Sequence, residues 1–434
     1  MPGTSDNHAT VGVESMRDDR RVTRTSDRTR GAGLVVVVGS LTLLPAVSTD
    51  MYLPSLPDVA RDLGSSDAGA QFTITGMLLG GAIGQLLVGP FSDRVGRRLP
   101  ALIGIGLHAL ISLACVVVVD IDQLAVLRVL QGLASAGGTV VGMAVIRDRY
   151  SGAEAARLFS RLMLIIGAAP LLAPSVGGFV AHQWGWRAVF VTLAGMAVVI
   201  GIIVATWLPE TLPPERRARR GLGAVFRGYG SLLRDGHFMA LAVLPGLCMA
   251  VIISYVVGST FVFQEEYGLG KREFALTFAV IGVAMVIGAQ VNAALVRRVG
   301  PLRLLRVGLP LAAGLAGLLG TVVLLGATMP ALMVLLWLTL ASLGLVMANA
   351  SALALTRHGR RAGTAAAVLG FLQAGLGGLI SSLVGPLGGR SVAMAGVMFG
   401  ALVAGLLVLA LGTPAYRRGG WLDVGGHLPP NLAG

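Results

Sequence analysis

Charge is scarce in this sequence. Only 13% of its 434 residues are Asp, Glu, Lys or Arg, whereas a soluble domain needs about a quarter to cover its surface. With 55% hydrophobic residues and a mean hydropathy of +0.79, the chain has lipid as its main solvent. Cysteine is nearly absent. Cys115 and Cys248 each sit in an apolar run, which excludes a disulfide framework or a thiolate metal site and leaves two small packing residues. The six histidines show no ligand spacing, so no metal is expected, and His108 alone on an apolar helix reads as packed or hydrogen-bonded. Neither a catalytic triad nor any other reactive constellation is present, so an enzyme is not expected and no residue is assigned a catalytic role. The glycine-rich stretches at 375–378 and 385–389 lack the Lys-Ser/Thr of a phosphate-cradling loop. ATP is therefore not the expected energy source, and no cofactor is expected. Aromatic residues make up 6%. Trp184, Trp186, Trp207 and Trp421 stand near predicted segment ends, where indoles favour the membrane interface; Trp337 lies inside a segment.

Glycine and long apolar runs are abundant. The 62 glycines suit close helix packing in a bilayer. A bilayer core of about 30 Å needs roughly 20 helical residues. Runs of that length fall near 34–53, 70–90, 100–119, 124–146, 160–181, 188–208, 237–263, 274–296, 304–327, 330–355, 364–386 and 392–412. The fold class is thus all-α and polytopic, with about twelve transmembrane helices. Residues 1–33, polar and without apolar periodicity, read as a disordered tail rather than a secretory signal.

The basic excess follows the same map. With the N-terminus placed in the cytoplasm, 28 of the 34 Lys and Arg residues fall on the cytoplasmic side, five fall outside and Arg128 lies within a segment. This asymmetry predicts that both termini are cytoplasmic, and it explains the formal charge of +13 without nucleic acid as a partner. Residues 209–236 carry Pro209, Pro213 and Pro214 and the run Glu215-Arg216-Arg217-Ala218-Arg219-Arg220. They read as a cytoplasmic linker between six-helix bundles at 34–208 and 237–412, followed by a tail at 413–434. Two such halves are common in transporters. A faint echo agrees: Gly84 and Arg94-Val95-Gly96 recur 204 residues later as Gly288 and Arg298-Val299-Gly300, with Arg297 in the place of Asp93.

Four stretches carry the chemistry. Gly89-Pro90-Phe91-Ser92-Asp93-Arg94-Val95-Gly96-Arg97-Arg98 is a tight basic turn between segments. Arg128-Val129-Leu130-Gln131-Gly132 places a guanidinium inside a bilayer segment, at a cost of roughly 2.5–3.5 kcal/mol on insertion scales; snorkelling to the nearby segment end is the ordinary alternative. Residues 167–178 combine Pro170, Pro174, Gly177 and Gly178 in a kinked, closely packed segment. The first segment ends Ser48-Thr49-Asp50-Met51-Tyr52-Leu53-Pro54. The first of these resembles the signature loop of the major facilitator superfamily. The second and third resemble its fourth-helix and antiporter motifs, although Ala169 and Ala173 replace usual glycines. The first segment, with Glu210-Thr211-Leu212-Pro213-Pro214-Glu215-Arg216-Arg217, resembles the bicyclomycin/chloramphenicol-resistance (Bcr/CflA) branch of drug:proton antiporters.

The resemblance implies a twelve-helix fold in the bacterial inner membrane and multidrug or antibiotic efflux driven by proton entry, with protons as the coupling ion. It implies a latch role for Gly89, Asp93, Arg94, Gly96, Arg97 and Arg98. Arg128, with Gln131 and Gly132, would then take part in proton coupling. Asp50 is readable without the resemblance. Withdrawing a carboxylate from water is costly unless it takes up a proton, and reversible protonation is what a proton carrier requires. An acid facing water at a helix end is the competing reading. Because the first and fourth segments run in opposite directions, Asp50 and Arg128 are expected at similar depth; in the superfamily fold both helices border the cavity, so the resemblance implies that the two side chains sense each other directly or through water. Tyr52, Gln71, Gln85, Tyr255, Phe261, Phe263, Asn292, Asn349 and Gln373 are further candidates for a cavity lining or for helix packing. The expected partners are a drug-like small molecule and the lipid bilayer, with the chain acting as a monomer. Export of an endogenous metabolite or self-made antibiotic is the nearest alternative, and a non-transporting receptor on the same fold is the alternative of another class.

Overall fold

A computed structural model describes residues 33–34, 36–150, 158, 172–217, 222–326, 328–356, 358 and 362–412. Among them the chain is helical without strands, as a bilayer demands of backbone that must satisfy its own hydrogen bonds. Eleven helices are long and apolar enough to cross a membrane. The helices are α1 (Val36–Asp62, with a 3-10 turn at Leu53–Ser55), α2 (Asp67–Val95), α3 (Arg98–Val116), α4 (Ile121–Arg149), α5 (172–184) and α6 (Trp186–Trp207). The linker carries α7 (Leu222–Leu233), and after it come α8 (Gly236–Phe261), α9 (Lys271–Val299), α10 (Pro301–Leu324), α11 (Met329–Thr356), α12 (Ala362–Ser381) and α13 (Ser391–Gly412). The predicted fifth segment at 160–181 lies largely outside the described residues, as do the two tails.

The ends of the helices follow from local chemistry. Ser66, Asp120 and Asp235 accept backbone N–H groups at the starts of α2, α4 and α8. Gly96 and Gly300 end α2 and α9 with φ of 106° and 85°, the left-handed region that favours glycine. Two features go beyond the sequence reading. The linker contains a helix, α7, whose apolar Val225, Tyr229 and Leu232 recur at helical spacing in a segment too short to span. In addition, α8 ends in a π turn at Val262–Glu266.

Packing follows two repeated crossings. α2 packs on α4, and α9 on α11. A Cβ on Gly132 would stand 1.9 Å from the Met77 carbonyl oxygen, and one on Gly288 would stand 2.0 Å from that of Ala341. Backbone therefore meets backbone in both places, which only glycine permits. Gly84 and Gly288, the echoed pair, occupy these equivalent crossings, and Gly96 and Gly300 terminate the equivalent helices. The two sets of helices meet along α2 and α12, and where the 53–55 turn of α1 touches α8 and α9.

Candidate functional site

Arg128 occupies the core of the first helix set. Its side chain is fully buried, and Nη1 donates to the Ser48 carbonyl at 3.3 Å and to Gln131 Oε1 at 2.5 Å. The guanidinium carbon lies 4.9 Å from the Tyr52 ring centroid and 5.8 Å from that of Phe190. Among the described residues Nε and Nη2 have no hydrogen-bond partner, so the aromatic faces carry part of the charge stabilisation. Gln131 Nε2 donates to Ser112 Oγ at 2.7 Å, and Ser112 donates to the His108 carbonyl at 2.7 Å. Ser48 gives its proton to the Leu44 carbonyl, so the 3.1 Å contact with His108 Nε2 has the imidazole as donor. A continuous polar chain thus ties α1, α3 and α4 together. Arg128 does not snorkel.

Asp50 lies on the other side of α1. It is 8% exposed and accepts no hydrogen bond among the described residues. Ser48 and Tyr52, which face Arg128, are one helical turn apart; Asp50 between them points about 200° away. The contact between Asp50 and Arg128 expected from their depth is absent, because helical rotation rather than depth sets their facing. The Asp50 carboxyl instead falls within electrostatic reach of Tyr255 on α8. That tyrosine is buried with its hydroxyl unpartnered, its ring stacked on Phe278 at 5.3 Å and 17°. Beside Asp50, a Cβ on Gly177 would stand 1.9 Å from the Met51 carbonyl oxygen, and one on Gly178 would sit 3.7 Å from Pro54. The Gly177-Gly178 pair therefore allows α5 to press on the turn that carries the acid. Pro174 lies within α5, and Pro170 lies outside the described residues.

The loop between α2 and α3 forms a separate network. Arg97 is 3% exposed; it donates to Ser92 Oγ and Asp93 Oδ1 at 2.6 Å each and to Asp148 Oδ2 on α4 at 2.8 Å. Burial opposes its charge, but the hydrogen bonds to Asp148 and Asp93 outweigh that and hold the guanidinium protonated more firmly than usual. Glu210 of the linker accepts the backbone N–H groups of Arg97 at 2.8 Å and Arg98 at 3.3 Å, and Arg98 donates in turn to the Ala205 carbonyl. Burial pushes the Glu210 carboxyl up, yet the N–H groups of Arg97, Leu212 and Arg98 and the Arg217 guanidinium together hold it below the usual range. Gly96 is required twice, since a Cβ there would also stand 2.4 Å from Glu210 Oε2. Asp148 and Glu210 are the residues that complete this clamp. Glu210 was visible in the sequence only within a linker motif, and Asp148 only as an acid between Arg147 and Arg149.

A cavity of about 750 Å³ opens beside this loop, on the face that carries the linker. Gln85 and Gly89 of α2, Met143 of α4 and Gln373 of α12 line it, with Asp93 and Arg94 at its rim. This volume suits a drug-sized ligand. Neither Asp50 nor Arg128 lines it. Of the remaining candidates, Phe261 and Phe263 are buried, Tyr52 receives Thr73 Oγ1 at 3.1 Å, and Asn349 donates to Asn292 at 2.6 Å. Gln71 is buried with both polar atoms of its amide unpartnered.

Known proteins match both the sequence and this architecture. The chain is 35% identical to the uncharacterized MFS-type transporter YdgK of Bacillus subtilis over 376 residues, 86% of this chain and 94% of the relative. It is 28% identical to the bicyclomycin resistance protein homolog of Haemophilus influenzae, covering 81% of this chain and 88% of that one. The crystal structure of a D-xylose-proton symporter superposes with a TM-score of 0.71 at 18% identity, over 89% of this chain and 99% of the symporter. Residues 38–382 match the sequence profile of the Major Facilitator Superfamily. With the paired crossings, the α2–α3 loop and these matches in agreement, the chain belongs to the Major Facilitator Superfamily.

Proposed function

We propose that this transporter is a proton-coupled exporter of drug-like small molecules, working in the bacterial inner membrane with its linker face in the cytoplasm. The observation that carries the reading is Asp50: a buried carboxyl without a hydrogen-bond donor among the described residues, on α1, where the two helix sets meet near Tyr255. A charge held there is costly and a proton relieves the cost, so protonation biases which arrangement of the two sets is favoured. The cavity on the linker face accepts the substrate, and its largely apolar walls suit an amphiphilic drug. Arg128 supplies a fixed positive charge behind α1 that holds Ser48 and Tyr52, and through them the segment bearing the acid. The asymmetry of basic residues supports the orientation. The bicyclomycin resistance relative supports an antibiotic as substrate. A proton moving inward supplies roughly 2.3 kcal/mol per 100 mV, enough to sustain a concentration gradient.

The test is transport in energised vesicles together with drug-induced proton release from the purified protein. Asp50→Asn is expected to abolish uphill export and proton release while leaving drug binding measurable. Uphill export by Asp50→Asn with unchanged pH dependence would refute the proposal.

A further inference from the structure

The linker helix α7 has two unlike faces. On one, Tyr229 and Leu232 are buried, Tyr229 donates to the Leu86 carbonyl on α2 at 3.1 Å, and Gly228 packs toward Thr364 on α12. This face bridges both helix sets at the rim of the cavity. On the other, Phe226 and Leu233 are 51% and 50% exposed. They are seven residues apart, hence stacked along one line of the helix. Arg234 follows Leu233 by one residue and borders that line, while Arg227, next to Phe226, also lines the cavity. Arg216, Arg227 and Arg234 are all exposed, and none makes an ion pair among the described residues. By sequence, Arg219 and Arg220 stand just before the helix.

The nearby acids do not neutralise this strip. Glu210 is held by backbone N–H groups of the α2–α3 loop. Asp235 caps α8 and contacts His358 at 3.3 Å. Asp93, within electrostatic reach of Tyr229, is paired with Arg97, and among the described residues Glu215 is exposed without an ion pair. An apolar line flanked by arginines, on a short helix tethered beside membrane-spanning segments, fits the acyl–headgroup boundary of a bilayer. Apolar side chains enter the acyl edge while arginine stems reach up to the phosphates.

We propose that α7 is an interfacial helix that docks on anionic phospholipid headgroups through Arg234, aided by Arg216 of the turn that precedes it, with Phe226 and Leu233 inserted beneath them. Because the adjoining face, where Tyr229 meets the Phe226 ring edge at 6.1 Å, binds α2 and α12, the lipid contact fixes the linker at the cavity rim. The occupant is chosen by charge complementarity: a zwitterionic surface satisfies the apolar line but not the arginines. The proposal is independent of what is transported.

The test uses the full chain with Cys115→Ala, Cys248→Ala and Leu233→Cys, labelled at position 233 with an environment-sensitive fluorophore. The protein is placed in nanodiscs of phosphatidylcholine alone or of phosphatidylcholine mixed with phosphatidylglycerol. Blue-shifted emission, quenched by spin-labelled lipid, is expected only in the mixed discs. Arg216→Gln and Arg234→Gln should each lower the lipid-inserted fraction roughly fivefold. Raising salt on the unsubstituted labelled chain should weaken insertion as well, a measurement that requires no arginine variant to fold. Equal emission in the two kinds of disc, whether wet or dry, overturns the proposal. So does insertion that is indifferent to both salt and the arginines.

Discussion

The two helix sets share a frame but not a chemistry. In the first, α4 buries Arg128, α1 buries Asp50, and Arg97 joins Asp93 to Asp148 beneath them. In the second, α10 buries Arg306, but α11, α12 and α13 contain no charged residue. There the crossing of α9 and α11 holds a neutral Asn292–Asn349 hydrogen bond. The glycines at the crossings repeat because backbone contact imposes the same steric limit in both sets. Charges have no such reason to repeat, since each must be compensated or used. Geometry was thus kept twice, while the chemistry differs between the two sets.

The frame is where a break should be largest. Gly132→Val and Gly288→Val each force a side chain into a carbonyl that a Cβ would meet at 1.9 or 2.0 Å. Both should cost upwards of about 3 kcal/mol and leave little folded protein in detergent gel filtration. A large loss from one and not the other would end the claim that the crossings are equivalent. The next test separates chemistry from frame. Arg128→Met removes a buried charge that has no carboxylate partner, and well-packed apolar replacements of buried charges are often neutral. Its melting midpoint should stay near that of the unsubstituted protein while vesicle transport is lost; a large drop in the midpoint would make Arg128 structural.

Smaller effects concern the clamp and the neutral crossing. Glu210 is held below its ordinary value of 4.5, so its stabilising contribution is complete above that value and is lost as pH falls through the lowered one. Glu210→Gln should melt a few degrees lower at neutral pH and show a shallower loss on acidification. Parallel pH–melting curves for the two proteins would show that the carboxylate contributes nothing. Smallest is Asn349→Ala, expected to cost about 0.6–1.7 kcal/mol with transport retained. Loss of transport without loss of stability would place coupling chemistry in the second set after all.

Much of this was legible in the chain. Eleven of the twelve expected spans are present among the described residues, generally reaching a few residues beyond the apolar runs, because polar caps such as Ser66 and Asp120 lie outside the apolar core. The faint echo of Gly84 in Gly288 proved to mark equivalent crossings. Helix α7 was hidden because hydropathy windows suited to spans average out a short amphipathic stretch. The clamp on Arg97 was hidden because Glu210 lies 113 residues away in sequence.

Sequence alone determined that this protein lies in a membrane, where its helices run and which residues are costly to bury, because transfer energy and helical hydrogen bonding are local properties of a segment. Only the tertiary structure decided what those residues face. Asp50 and Arg128 are expected at similar depth, yet the facing of α1 turns Asp50 toward Tyr255, while Arg128 on α4 enters the polar chain of Ser48, Gln131 and Ser112. That facing is set by packing, above all by Gly177 against Met51 and Gly138 against Leu41. Such contacts join segments far apart in the chain, so no local stretch of sequence contains them.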